Sequence, residues 1–318
     1  MNARAWWVFL FTATFVWAPA LASAEDMAVT VALKDESECC VDQSDQIILA
    51  STRNYPSCPG RTLDFDKFNG FVYTPSGCFT GAEVSLLEND DQAETWIFVH
   101  GNQIPPDVAV QRGTKVYRRL RPYAAPEKPI RFIIWSWPSE RDGGRLADAR
   151  KKRKRTEAEA FYLGSFLSAS AHTGTANILG YSFGARVVSG ALHLCGGGNL
   201  CGYKLPDIHR PAEPYRVAFL AAAVESDGFN RGCLYGQALS NVDHLLLQNN
   251  SSDMALRYFW VTNRTKPKAL GHTGLAYAPA HCSVQQFDWE DYIGKDHSLW
   301  CYLDRAVILR RIASNFER

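Results

Sequence analysis

The stretch "ILGYSFGARV", residues 178–187, sets Ser182 between Gly180 and Gly184. A Gly-x-Ser-x-Gly pentad arises by chance in about one chain in ten of this length, given the average frequencies of Gly and Ser. The surroundings decide its meaning. Residues 176–182 form a short apolar run of the kind that makes a buried strand. Residues 183–195, "FGARVVSGALHLC", carry the spacing of an amphipathic helix. A serine raised on such a strand-to-helix turn is a candidate catalytic nucleophile, and the two glycines leave room for a sharp bend and for close helix–strand packing. The plainer alternative is that Ser182 caps the helix that starts at Phe183.

Outward from this turn the chain alternates. Apolar runs at 46–52, 95–101, 130–137, 215–223, 242–248 and, more weakly, 282–289 read as strands. Segments 106–120, 144–170, 252–260 and 298–316 read as helices, the last with Leu299, Leu303, Val307, Ile308 and Ile312 on one face. Residues 53–92, rich in Gly, Pro, Ser and Asp, are expected to be irregular. Alternating strands and helices predict an α/β fold, a mostly parallel central sheet with helices on both faces. In such sheets sites form at the carboxyl ends of the strands.

That rule sorts the partners Ser182 would need. A serine hydroxyl requires a base within hydrogen-bond reach, and the base requires an orienting acid. Of the eight histidines, His297 alone follows the last strand in the right order; its bland roles are capping the closing helix or stacking on Trp300. His100 is expected to shape its loop. For the acid, Asp253 follows the strand at 242–248 and is preferred; Asp227 and Glu225, after the strand at 215–223, are the alternatives. The bland role of Asp253 is a favourable charge in a helix first turn. Donors for a developing oxyanion would be the backbone N–H groups of Phe183 and of Asn102, where Gly101 lets the chain turn.

The ends and the composition bound the rest. The 318 residues are 46% hydrophobic and 21% charged, which suits a globular protein with a sizeable core. Residues 1–24 have a lone Arg4, an apolar run and small residues at Ala22 and Ala24, the form of a secretory signal peptide cut before Glu25. Its loss takes the formal charge from +1 to 0, which leaves no overall bias toward nucleic acid or anionic membrane. No later stretch is apolar enough to span a bilayer. Residues 25–45 read as a loose lead-in and 46–318 as the folded domain. Nine cysteines suit an exported, periplasmic or secreted chain, and Cys195 and Cys201 could form a disulfide across a Gly-rich loop. No Cys-x-x-Cys or His/Asp cluster has metal-ligand spacing, so neither metal nor cofactor is expected. The basic run 150–155, "RKKRKR", is followed by Glu157 and Glu159 and reads as a solvated helix face rather than a nucleic-acid patch.

The pieces "WIFVHGN" (96–102), "FIIWSWPSE" (132–140), "LGYSFGARVVSGALHL" (179–194), "FLAAAVESD" (219–227), "NNSSDMAL" (249–256) and "DHSLWCYL" (296–303) resemble the α/β-hydrolase superfamily. They look most like a poorly characterised bacterial group of exported members. The resemblance implies an eight-stranded hydrolase sheet and a serine ester or amide hydrolase acting on a small-molecule ester. It also implies Ser182 as nucleophile, Asp253 as acid and His297 as base. The chain departs from the lipases that carry repeated glycines after the His-Gly pair. The alternative, from another class, is a hydrolase-fold binding protein that has lost catalysis.

Overall fold

The sheet runs β3-β2-β1-β5-β4-β6-β7-β8-β9. Its strands are β1 (Gln46–Ser51), β2 (Gly70–Tyr73), β3 (Phe79–Val84), β4 (Glu94–Val99), β5 (Ile130–Ser136), β6 (Ala176–Tyr181), β7 (Tyr215–Leu220), β8 (Val242–Asn249) and β9 (Ser283–Asp288). Every pairing from β1 across to β9 is parallel, and only β2 runs against the rest, antiparallel to both β1 and β3. The computed structural model describes residues 44–60, 70–73, 79–84, 86–87, 93–170, 176–208, 211–263 and 265–318. The expected signal peptide, most of the lead-in, Cys39, Cys40, Cys78, His172 and His209 lie outside the described residues.

The helices are α1 (Pro106–Leu120), α2 (Arg145–Ala169), α3 (Phe183–Cys195), α4 (Met254–Arg257), α5 (Leu270–Thr273), α6 (Glu290–Ile293), α7 (Leu299–Leu303) and α8 (Ala306–Phe316). From β4 the chain crosses to β5 through α1, then turns back past β4 to β6 through α2, and onward to β7 through α3. Right-handed crossovers in opposite directions put α1 on one face and α2 with α3 on the other. The C-terminal α8 packs with α1 and against β7 and β8. This layered sheet, with its single antiparallel strand and a serine on the turn after β6, is an α/β-hydrolase fold.

The strand composition explains the arrangement. All seven residues of β5 and all six of β6 are buried, as a parallel strand covered on both faces requires. Trp96, Phe98, Phe132, Ile133, Trp135 and Ile178 fill the two interfaces, each contributing on the order of 1.5–3 kcal/mol by leaving water. At the far edge β9 has no fully buried residue, which is why its hydrophobic signal is weak in the sequence.

Five expectations are corrected here. The segment 53–92 is not wholly irregular, because it supplies β2 and β3; their four and six residues, GFVY and FTGAEV, carry one Gly each and leave little apolar pattern. Among the described residues the sheet therefore has nine strands where the resemblance implied eight. The closing helix is two helices, α7 and α8, parted at Asp304 and Arg305. That break turns Val307 outward, to 41% exposure, while Ile308 and Ile312 stay buried. The helix expected over 252–260 is the short α4 followed by a 3₁₀ turn, Phe259–Thr262. Finally, Cys195 and Cys201 are not bonded: all six described cysteines are free. Cys195 points into α2, its Sγ 3.5 Å from the Gly164 carbonyl oxygen, and burial pushes its thiol up to about 12; Cys201 is exposed.

The basic run on α2 also differs from a solvated face. Lys152 is buried and donates to the Pro138 carbonyl at 3.0 Å. Arg153 pairs with Glu225 at 2.6 Å and Arg155 with Glu159 at 2.6 Å. Half of the run thus braces the fold. At the other end of the domain Asp45, counted with the lead-in, is buried and accepts from the Ile130 N–H at 2.8 Å and the Tyr117 hydroxyl at 2.5 Å.

Candidate active site

Ser182 sits at φ 53°, ψ −121°, a left-handed conformation that costs a non-glycine residue on the order of 1–3 kcal/mol. The surrounding chain holds it there. Its N–H donates to the Leu220 carbonyl at 3.0 Å, and its own carbonyl accepts from Ala185 and Ala223, both at 3.1 Å. The flanking glycines permit the bend. A Cβ on Gly180 would lie 2.8 Å from the Ala185 Cα, and one on Gly184 would overlap the Val99 carbonyl oxygen. Ser182 occupies the N-cap position of α3, yet its hydroxyl makes no capping bond. The hydroxyl lies instead 2.9 Å from His297 Nε2.

His297 comes from the turn between α6 and α7. Its Nδ1 is 2.6 Å from Asp253 Oδ2. Asp253 is fully buried at the end of the loop after β8, and its other oxygen caps α4 by accepting from the Ala255 and Leu256 N–H groups at 2.8 and 3.0 Å. One carboxylate thus does two jobs: Oδ1 is fixed by backbone donors, and that fixes the direction of Oδ2 toward the imidazole. A proton on Nδ1 leaves Nε2 with its lone pair aimed at the serine.

The alternative acids are elsewhere. Glu225 is buried and bonded to both Arg153 and Arg186. Burial alone would raise its carboxyl, but the two guanidiniums outweigh that and hold it below the usual carboxylate range. Asp227 is exposed on a turn. Neither makes a hydrogen bond to His297, whose carboxylate partner is Asp253.

The backbone N–H groups expected to meet an oxyanion, those of Phe183 at the start of α3 and of Asn102, have no acceptor among the described residues. The loop carrying Asn102 presses on the nucleophile, for a Cβ on Gly101 would meet the Ser182 Cβ at 3.0 Å. It is pinned from behind. The Asn102 side chain donates to the buried Asp148 at 3.0 Å, and the next N–H, of Gln103, donates to the Ser139 carbonyl at 2.7 Å.

His100 supports the same loop. It stacks on Trp137, centroids 5.7 Å apart. Its Nδ1 lies 2.9 Å from the Gly101 carbonyl oxygen, and its Nε2 accepts from the Trp137 N–H at 3.3 Å. Only a neutral ring with the proton on Nδ1 satisfies both contacts. Burial accordingly lowers the imidazole from 6.5 to about 3. A depressed folded-state value means that this stability is fully present above pH 6.5 and is lost as the pH falls toward 3, by up to about 1.4 kcal/mol per pH unit. Thermal melts between pH 7 and pH 4 should therefore fall less steeply for His100→Asn than for the unaltered chain; parallel curves would show that His100 does not carry this acid sensitivity.

Several contributors to the site are not visible in the sequence. The Tyr181 hydroxyl donates to the His297 carbonyl at 2.5 Å, and burial raises its phenol above the usual range, so it stays a neutral donor. Asn250 donates to the Gly294 and Asp296 carbonyls at 2.8 and 3.2 Å, which ties the histidine turn to the acid loop. Tyr181 lies inside the pentad and Asn250 in the "NNSS" after β8, so proximity to the motifs was the only signal. Among the described residues no group of three His, Cys, Asp or Glu side chains is placed to hold a metal ion. Among them too, no helix is long and apolar enough to cross a membrane.

Comparison with solved structures finds similarity to an esterase from a Rhodococcus species, at 11% identity over 79% of this chain and 95% of that one, TM-score 0.39. An inhibited esterase B from Lactobacillus rhamnosis is similar at 12% identity over 93% and 95% of the two chains, TM-score 0.39. A monoacylglycerol lipase from Paleococcus ferrophilus is similar at 11% identity over 70% and 94%, TM-score 0.32. No family model matches the chain, and no curated protein matches it at a significant level. Likeness at these scores makes no case for a shared activity; the fold stands on the strand order, and the site on its own geometry.

Proposed function

We propose that the chain is a serine hydrolase that cleaves small carboxylic esters through an acyl-enzyme on Ser182. The unbroken line of hydrogen bonds from Asp253 through His297 to Ser182 carries the reading. The Ser182 oxygen attacks the ester carbonyl while His297 Nε2 takes its proton. The negative charge that develops on the carbonyl oxygen is met by the Phe183 and Asn102 N–H groups. His297 then gives the proton to the leaving alcohol, and water completes the second half by the same route. Burst kinetics with 4-nitrophenyl acetate test this: a rapid first release of nitrophenol, equal to the enzyme present, followed by slower turnover, is the expected result. A sluggish rate independent of Ser182 would support the alternative of a hydrolase-fold binding protein.

The substrate is read as short. Between β7 and β8 the residues 224–241 form a succession of turns with no helix, and no cap domain covers the site from there. Without a greasy cover an acyl chain forgoes roughly 0.8 kcal/mol per CH₂ that it cannot bury. In a series of nitrophenyl esters kcat/KM should therefore peak at acetate or butyrate. A maximum at palmitate would contradict the open site.

The same reading places the enzyme outside the cytoplasm, akin to the exported bacterial group that its motifs resemble. Protein recovered from a secreting host should have an intact mass that begins at Glu25; one that keeps Met1 would contradict export by cleavage.

A further inference from the structure

A cleft of about 700 Å³ opens between the first turns of α2 and the 3₁₀ turn after α4. Leu146 and Trp260 form its apolar walls, 42% and 41% exposed. Arg150 and Lys266 supply its charge, and no acid is among its described lining residues. The Arg150 Nε donates to the Val261 carbonyl at 3.2 Å, which fixes the guanidinium against the wall. The Lys266 ammonium stands 5.8 Å from the centroid of the Trp260 ring. Neighbours of Arg150 in the basic run are neutralised, Lys151 by Asp142, Arg153 by Glu225 and Arg155 by Glu159. Arg150 and Lys266 have no carboxylate partner among the described residues.

The cleft, on the first turns of α2, and the serine, at the start of α3, lie at the same edge of the sheet. Helices α2 and α3 pack side by side, and both start at the carboxyl edge of the sheet. Arg153 and Arg186 meet on the same carboxylate, Glu225. Arg150 is three residues above Arg153, about 4.5 Å, and Ser182 is four above Arg186, about 6 Å. With the axes of packed helices roughly 8–10 Å apart, these offsets suit a substrate of one ring and a short arm that joins the Ser182 hydroxyl to the cleft.

We propose that this cleft receives the leaving part of the ester, and that this part is a flat ring bearing a carboxylate. The indole and Leu146 cover the ring, and Arg150 with Lys266 meet the carboxylate. The inference rests on the serine hydrolase reading for its connection to turnover, but not for binding.

The test uses two probes on the full protein, 4-acetoxycinnamate and its neutral amide, with calorimetry of 4-hydroxycinnamate, which needs no turnover. The acid should have a KM about tenfold below that of the amide, as a charge-assisted contact of about 1.4 kcal/mol gives. Added salt should narrow the gap. Arg150→Gln and Lys266→Gln should each bring the ratio toward one, and Arg150→Lys should restore most of it. Trp260→Ala should raise KM for both probes. Equal KM values for acid and amide, with no heat on adding 4-hydroxycinnamate, would overturn the proposal. Binding of 4-hydroxycinnamate that is lost in the two glutamine variants, with neither ester hydrolysed, would instead overturn the hydrolase reading and uphold the cleft.

Discussion

Ser182→Ala is expected to lower ester turnover by about 10⁵- to 10⁶-fold, the loss typical when the nucleophile of a working triad is removed. The substitution is clean. Alanine keeps the Cβ that packs on Gly101 and removes only the Oγ. That oxygen makes no capping bond to α3, so helix stability should not change. Alanine also inherits the left-handed backbone, and the strain is the same in both chains. The melting temperature should therefore match while kcat collapses, measured with 4-nitrophenyl acetate at saturating concentration. Residual activity within tenfold of the unaltered chain would mean that another group attacks the ester.

Asp253→Asn should cost about 10⁴-fold in kcat, because the amide forces the wrong imidazole tautomer. The physical route is specific. The Asn side-chain oxygen can still accept from the Ala255 and Leu256 N–H groups, and Asn caps a helix about as well as Asp. That leaves the NH₂ pointing at His297 Nδ1. A donor there favours the ring with its proton on Nε2, which then faces the serine and takes nothing from it. Stability should change little, so the defect is catalytic. Asp227→Asn is the control, since that carboxylate is exposed and does not touch the imidazole. A dead Asp227→Asn beside an active Asp253→Asn would move the acid to the loop after β7.

Much of this site was legible because its chemistry is tied to local pattern. The pentad around Ser182 is a short-range feature: the bend needs Gly180 and Gly184 within two residues of it, so the sequence displays the requirement directly. Asp253 and His297 were reachable by order, since each follows a strand at the carboxyl edge. The reason that Asp253 rather than Glu225 meets the imidazole was not legible. Both follow strands, and only the folded chain shows that Arg153 and Arg186, contributed by different helices, occupy the Glu225 carboxylate. Arg153 also explains why the basic run differs from a solvated face: charge on a helix says nothing of whether a buried acid waits opposite. Strands β2 and β3 escaped for another reason. They pair at the sheet edge opposite β9, where one flank needs no continuous apolar run, and Gly70 and Gly81 shorten even the pattern they have. Tethers such as Tyr181 to the His297 carbonyl join residues more than a hundred positions apart, and no local signal records them.

The central claim is that Ser182 is an activated nucleophile, made so by His297 and Asp253. Labelling with a fluorophosphonate, read by intact mass and peptide mapping, tests it most directly. A single adduct on the peptide that contains Ser182 is the expected result, absent in Ser182→Ala and strongly slowed in Asp253→Asn. An unlabelled chain, or an adduct on another residue that persists in Ser182→Ala, would contradict the account.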